Sequence, residues 1–584
     1  MRSLMSIARI LAGLAVLCQA APSQQGQLEA RASGTCNTAQ NRTCWTPGYD
    51  IKTDYEAKTP PGQVRTFNWV VTERNNWTAP DGTVKSKVML INNAYPGPTL
   101  AADWGDTVRV TITNNLQTEG TGIHWHGLRQ LGTNIQDGVN GVTECPIPPG
   151  GSKTYTFRLT QYGTSWYHSH HSAQYGNGIF GPIVINGPAS RNYDIDLGAY
   201  PINDFYLRTA EQIVNDTQHT PAPPPSQNVF FNGTNINPAG SGGAYSRITL
   251  TPGKRHRLRL INPSVEHNFQ LSIVGHNLTV IATDLVPVTP VTTPYVFLGV
   301  GQRLDVTIDA TNTPGNYWMN VTLPAANLCG SSLNPAPAAI VHYASAPSGL
   351  PTNPGTVPPN PGCRDSLSYS PVVTRQAPLD QFTPGVSNTL DVTVQLAPLV
   401  VWQVNNSSID VDWDRPVLDY VLTGNTSYPR SENVVVVNQR NVWTFWVIEN
   451  QSVVPHPMHL HGHDFLVLGA SVDNAGSFTT ADKAQLLGTN PTRRDVTMLP
   501  PNGWIVLAFK ADNPGNWLFH CHIAWHVSGG LSVDFLERVS EQKAQISSAD
   551  AAAYNANCNA WRAYDQTGKD VKIDSGLKVR ELTW

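Results

Sequence analysis

Short alternating runs dominate the chain. TVRVTITN (107–114), KTYTFRLT (153–160) and RHRLRLIN (255–262) repeat apolar residues at every second position. That period turns one face of a strand toward a core and the other toward polar surroundings. Between such runs lie clusters of Gly, Pro and Asn, drawn from 47 Gly and 45 Pro, whose backbone preferences close turns. The pattern predicts antiparallel strands and a mostly β protein. Echoes such as GDTVRVTITN (105–114) and VWTFWVIEN (442–450), near opposite ends, point to an internal duplication.

At 584 residues the chain exceeds one ordinary core, and length alone suggests three or four domains. A Pro/Gly/Asn stretch at 347–363 reads as a linker, and NGPAS (186–190) marks a shorter boundary. The expected units are therefore 34–190, 191–365 and 366–584. A formal net charge of −4 over this length makes no case for nucleic acid or an anionic membrane as partner.

Residues 1–20 read as a secretory signal, with Arg2 and Arg9 before the apolar run Ile10–Leu17 and a small-residue cleavage site at Cys18-Gln19-Ala20. Residues 21–33 read as a propeptide, with Arg31 a processing point. No later segment reaches about 18 continuous apolar residues, so a secreted product without a membrane span is expected. Apart from Cys18 and Cys521, six cysteines remain: Cys36, Cys44, Cys145, Cys329, Cys363 and Cys558. An even number in a secreted chain implies disulfides. Short separations favour Cys36–Cys44 and Cys329–Cys363, leaving Cys145–Cys558. Ten Asn-x-Ser/Thr sequons, among them Asn76, Asn232, Asn277, Asn320 and Asn425, suit a glycosylated surface.

The chemistry lies in HCHIAWH (520–526). A thiolate, an imidazole five residues later and a second imidazole from elsewhere suit a trigonal His₂Cys blue-copper site. On an extended chain Cys521 faces one way while His520 and His522 face the other. One short strand thus joins a sulfur site to a second metal site through covalent bonds. Three more His-x-His pairs can complete that second site: His124/His126, His168/His170 and His459/His461. Each pair spans roughly 6.5–7 Å on one strand face. His456 remains as the second nitrogen ligand beside Cys521.

HWHG (124–127), WYHSH (166–170), HPMHLHGH (456–463) and HCHIAWH (520–526) resemble the four copper-binding signatures of the multicopper oxidases, in order and over nearly the full length. The likeness is greatest to laccases of the ascomycete type. This resemblance implies an all-β fold of three cupredoxin-like β-sandwich (Greek-key) domains, holding four copper ions. It gives type 1 copper to His456, Cys521 and His526, and type 2 to His124 and His459. One type 3 copper falls to His126, His168 and His522, the other to His170, His461 and His520. Leu531 occupies the weak axial position, where it cannot coordinate, so a three-coordinate type 1 site of raised potential is expected. The resemblance also supports the disulfide pairing above.

It further implies that Glu266 accepts a proton from a phenol near the type 1 edge and that Asp137 helps protons reach the oxygen cluster. Asp495 is a weaker candidate for tuning that cluster. Ala524 stands where many basidiomycete relatives carry an acid, which shifts weight onto Asp137. The tail Asp574–Trp584 resembles one processed after Leu577 whose new end plugs the channel to the cluster. Trp125, Trp166 and Trp525 read as core aromatics. The expected activity is one-electron oxidation of phenols and aromatic amines coupled to reduction of O₂ to water, by a monomer. A ferroxidase would need several carboxylates at the type 1 edge, and only Glu266 is available. Ascorbate oxidase is mildly disfavoured by Leu531.

Overall fold

A computed structural model describes residues 36–220, 222–240, 242–324, 328–356, 362–570 and 572. The signal at 1–20, the stretch 21–33, linker residues 357–361 and the tail Asp574–Trp584 lie outside the described residues.

Six of the sheets form three pairs. A four-stranded pair builds the first unit, and a six- and a five-stranded sheet build each of the other two. Apolar cores fill each pair, with Val108, Val110 and Ile112 inward in the first and Leu258, Leu260 and Val306 in the second. Strand Thr107–Asn115 lies between a parallel neighbour, Val64–Thr78, and an antiparallel one, Ser152–Arg158. Arg255–Ile261 and Trp443–Asn450 hold the same position in their units, each between one parallel and one antiparallel partner. The echo between the chain's ends therefore corresponds to equivalent strands in repeated sandwiches.

Two features depart from the alternating pattern. Thr107–Asn115 alternates between buried and less buried residues, but Arg255–Ile261 is buried on both faces beyond its first residue. Its polar side meets the first unit at Thr164, whose Oγ1 accepts from Arg259 (3.0 Å), and is neutralised within its own unit, where Arg259 pairs with Asp196 (2.8 Å) and Arg257 with Asp305. Buried guanidinium groups require such compensation. The second departure is helical. Ser548–Asp565 forms an 18-residue helix capped by the Ser547 side chain. Its buried residues Tyr554, Cys558 and Trp561 follow the four- and three-residue spacing of one helix face, a signal that lay open in the sequence. Trp561→Ala is expected to cost ~3–5 kcal/mol, read as a lowered Tm of the secreted protein.

Disulfides join Cys36 to Cys44, Cys329 to Cys363 and Cys145 to Cys558. The last ties the C-terminal helix to the first unit, holding the two histidine-bearing ends together. Within the first unit, strands Ile123–His126 and Gly163–Ser169 pair with His124 opposite His168. In the third, His456–Leu460 and Gly515–Cys521 pair with His459 opposite His520. These two pairs of strands meet at the interface between the units.

Candidate metal centres

Cys521 is the free cysteine among the described residues, and it is fully buried. His456 Nδ1 and His526 Nδ1 each lie 3.5 Å from its Sγ and 3.0 Å from one another. Three donor atoms thus face one point. The distant nitrogen of His456 is held by Ser452 Oγ at 3.1 Å, and Trp402 packs its ring 4.3 Å from that of His526. Strand Gly515–Cys521 delivers the sulfur, and the short helix Ala524–Ser528 turns His526 back toward it. Burial pushes the Cys521 thiol well above its ordinary range and brings His456 down to about 3. A thiolate in this setting needs a cation beside it, which neutral imidazoles are suited to share.

The other eight imidazoles gather on the opposite side of Cys521. Most tie one ring nitrogen to an oxygen and leave the second facing inward. His124 Nδ1 meets the Asp137 carbonyl (2.9 Å), His168 Nδ1 the Ser169 carbonyl (3.0 Å) and His520 Nδ1 the Cys521 carbonyl (2.8 Å). His459 Nδ1 meets the Asp495 carbonyl, and His461 Nδ1 the Asp137 carboxylate, both at 2.8 Å. The inward nitrogens of His124, His168 and His459 are buried without a hydrogen-bond partner among the described residues. His461 Nε2 faces His520 Nε2 at 3.2 Å, and His522 Nε2 faces His126 Nδ1 at 3.2 Å. Donor nitrogens of His170, His461 and His520 fall within 4.8 Å of one another, as do those of His124, His459 and His461, and of His124, His126 and His168.

Buried nitrogens left unpaired would cost stability in a protein without a metal. Here their convergence and their oriented outer nitrogens match the needs of metal ligation. Burial, reinforced by neighbouring imidazoles, holds His126, His168, His170, His459, His461 and His522 well below the ordinary histidine range. They are therefore neutral donors at physiological pH. The set of one soft sulfur and ten imidazoles fits copper.

Asp137 sits against both His124 and His461. Asp495, the weaker sequence candidate, contacts His126 Nε2 through Oδ1 at 3.2 Å. It also receives two parallel bonds from Arg303, both 2.6 Å. Arg303 belongs to the middle unit and went unnoticed in the sequence, because no spacing connects it to the histidines. Gly301, with φ +86°, stands beside it, and a Cβ there would come within 3.0–3.1 Å of His522 and His126. The middle unit thus reaches the cluster directly. Glu266, also in the middle unit, is buried, and its Oε2 has no hydrogen-bond partner among the described residues. Its loop docks beside the sulfur site, where the Val265 carbonyl accepts from Ala524 N at 2.9 Å. Leu531 is fully buried, and its N–H bonds the His526 carbonyl.

Multicopper oxidase family models match residues 72–190, 198–346 and 385–541. The chain is 57% identical to Laccase-1 of Melanocarpus albomyces over 94% of its own length and 91% of that protein's. It is 54% identical to Laccase-2 of Podospora anserina, over 100% of this chain and 98% of the relative. The crystal structure of the laccase from Botrytis aclada superposes with a TM-score of 0.86 at 38% identity, covering 92% of this chain and 99% of that one. The chain belongs to the multicopper oxidases and, within them, to the fungal laccases.

Proposed function

We propose that the chain oxidises phenols and aromatic amines one electron at a time and delivers four electrons to O₂, through four coppers held by eleven side chains. The reading rests above all on Cys521, whose sulfur serves one donor set while its covalent neighbours His520 and His522 serve the other. His456, Cys521 and His526 would hold type 1 copper, and His124 and His459 type 2. His126, His168 and His522 would hold one type 3 copper, and His170, His461 and His520 the other. Copper supplies one-electron acceptance at the sulfur site and four-electron reduction of O₂ at the histidine cluster. Four phenols release four protons and four electrons, and O₂ takes up the same number to give two waters.

The protein's own groups handle the protons and the geometry. Burial, with Asp204 adding to it, pushes Glu266 up to about 8, within reach of a phenolic proton and far above a solvated carboxyl. Asp137 orients His124 and His461 and stands ready to pass protons inward. Leu531, whose backbone bonds both Cys521 and His526, would offer the copper no donor atom, and Trp402 packs against both imidazole rings. One chain supplies every ligand, so a monomer suffices. The units are proposed to run 34–190, 191–365 and 366–584.

Glu266→Gln keeps the shape but removes the base. Phenol kcat/KM is expected to fall ~100-fold, and its rise with pH through the Glu266 titration should disappear. Ferrocyanide, which gives an electron and no proton, should change by less than about twofold. Equal losses on both donors would refute the role.

We further infer a secreted glycoprotein. The described residues contain no helix long and apolar enough to cross a membrane. Asn76, Asn232 and Asn277 are exposed, whereas Asn450 is buried and its amide donates to the Val454 and Pro500 carbonyls. Glycopeptide mass spectrometry should find sugar on the exposed sequons and none on Asn450. The same measurement on the C-terminal peptide checks cleavage after Leu577.

A further inference from the structure

Beneath Glu266 lies a second carboxylate with a defined task. Asp204 is the penultimate residue of strand Ile195–Phe205 and is 5% exposed. Its Oδ1 accepts from Val265 N (2.9 Å), and its Oδ2 from Glu266 N (2.9 Å) and His267 N (3.1 Å). Three successive N–H groups converging on one carboxylate form an anion nest. Without that acceptor they would be buried and unpaired, at ~1–3 kcal/mol each. Glu266 is the central residue of the three.

The rest of the loop is fastened to the same frame. Asp204 N donates to Ser264 Oγ (3.2 Å), and Ser264 N donates to Asn262 Oδ1 (3.1 Å). Asn262 Nδ2 donates to the His267 and Leu298 carbonyls. The loop's outer side bonds Ala524 N, two residues before His526. Any shift of 265–267 therefore moves the Glu266 side chain relative to the edge of the sulfur site.

We propose that Asp204 is the positioning residue for Glu266, fixing through three backbone bonds the direction in which that carboxylate meets a phenol. This rests on the reading of Glu266 as the proton acceptor. Asp204 touches neither substrate nor metal ligand and acts through its neighbour. It also acts by charge, since a second carboxylate held beneath Glu266 makes ionisation of the upper one harder. The charged and titratable groups facing Asp204 among the described residues are Glu266 and His267 on the loop, Lys85 on strand Val84–Ile91, and Tyr95, Tyr175 and Tyr206. Lys85 is itself buried, and its Nζ donates to the Tyr206 and Arg208 carbonyls at 2.7 and 3.0 Å. Its positive charge acts on Asp204.

The test is Asp204→Asn in the copper-loaded enzyme, with a phenol and ferrocyanide as paired donors. Loss of the acceptor for the Glu266 and His267 N–H groups should lower phenol kcat/KM ~10- to 100-fold, with ferrocyanide oxidation and the blue absorption unchanged. Removing the lower negative charge stabilises ionised Glu266, so the ascending limb of the phenol pH profile should move to lower pH. In a Glu266→Gln background Asp204→Asn should add no further phenol-specific loss, because the two act as one unit. Equal loss on both donors, no loss on either, an unmoved pH limb, or full additivity in the double variant would each overturn the proposal. If Glu266→Gln alone spares phenols, the proton-acceptor reading falls first, and the comparison separates the two failures. Should Asp204→Asn not fold, Ser264→Ala loosens the same loop without exposing a charge. A phenol-only loss of a few-fold is then expected, and parallel change in both donors, or none, would count against the role.

Discussion

Cys521→Ser should remove the blue colour and the oxidation of every donor together, phenols and ferrocyanide alike. The sulfur is fully buried, with imidazole nitrogens at 3.5 Å on two sides. A serine oxygen occupies nearly the same space, so packing changes little. The chemistry changes greatly. An alcohol gives up its proton far less readily than a thiol, and oxygen is a hard donor where copper in a His₂Cys site calls for a soft one. The covalent route from this site to His520 and His522 also loses its polarisable atom. The His456–His526 pair should then bind copper weakly or not at all, while the eight-histidine cluster retains its metal. Metal analysis would show one copper fewer per chain, with secretion and Tm close to the parent's. A persisting blue band, or activity toward ferrocyanide near the parent's level, would sink the assignment of Cys521.

Much of the site could be read in the sequence because its information is local. Two imidazoles two residues apart on a strand share a face, and the structure uses that geometry at His124/His126, while His170 follows directly on the end of the strand that carries His168. The segment around Cys521 was only partly legible. Strand Gly515–Cys521 ends at the sulfur, and His522 keeps its place through its N–H bond to the Pro457 carbonyl at 2.7 Å. His526 reaches back by a helical turn that strand alternation could not foresee. What the sequence hid was non-local. Arg259 looks like a solvent-facing strand residue until the first unit covers it. Asp204 is one acid in an ordinary strand until the loop at 265–267 folds onto it. The C-terminal helix is the exception, since the spacing of Tyr554, Cys558 and Trp561 was local and a strand-dominated reading passed over it.

Arg303 carries the other large expected effect. It is wholly buried, as is Asp495, and the two make a bidentate pair across the interface between the middle and last units. Asp495 in turn contacts His126 Nε2, while its backbone carbonyl accepts from His459 Nδ1. Arg303→Ala strands a buried carboxylate with its main compensating charge gone, at a cost of ~3–5 kcal/mol. It also frees the carboxylate that fixes the His126 ring. Two consequences are expected: a lower Tm in copper-free protein, and reduced copper in the histidine cluster with the blue band preserved. Arg303→Lys should recover only part of both, because one ammonium cannot reproduce two parallel bonds. The double variant Arg303→Met/Asp495→Leu separates the two effects. Removing both charges should restore much of the Tm, since the stranded charge is gone, but not the copper, since His126 now lacks its acceptor altogether. An Arg303→Ala protein with the parent's Tm and full copper content would show that the middle unit's contact with the cluster is mere adjacency.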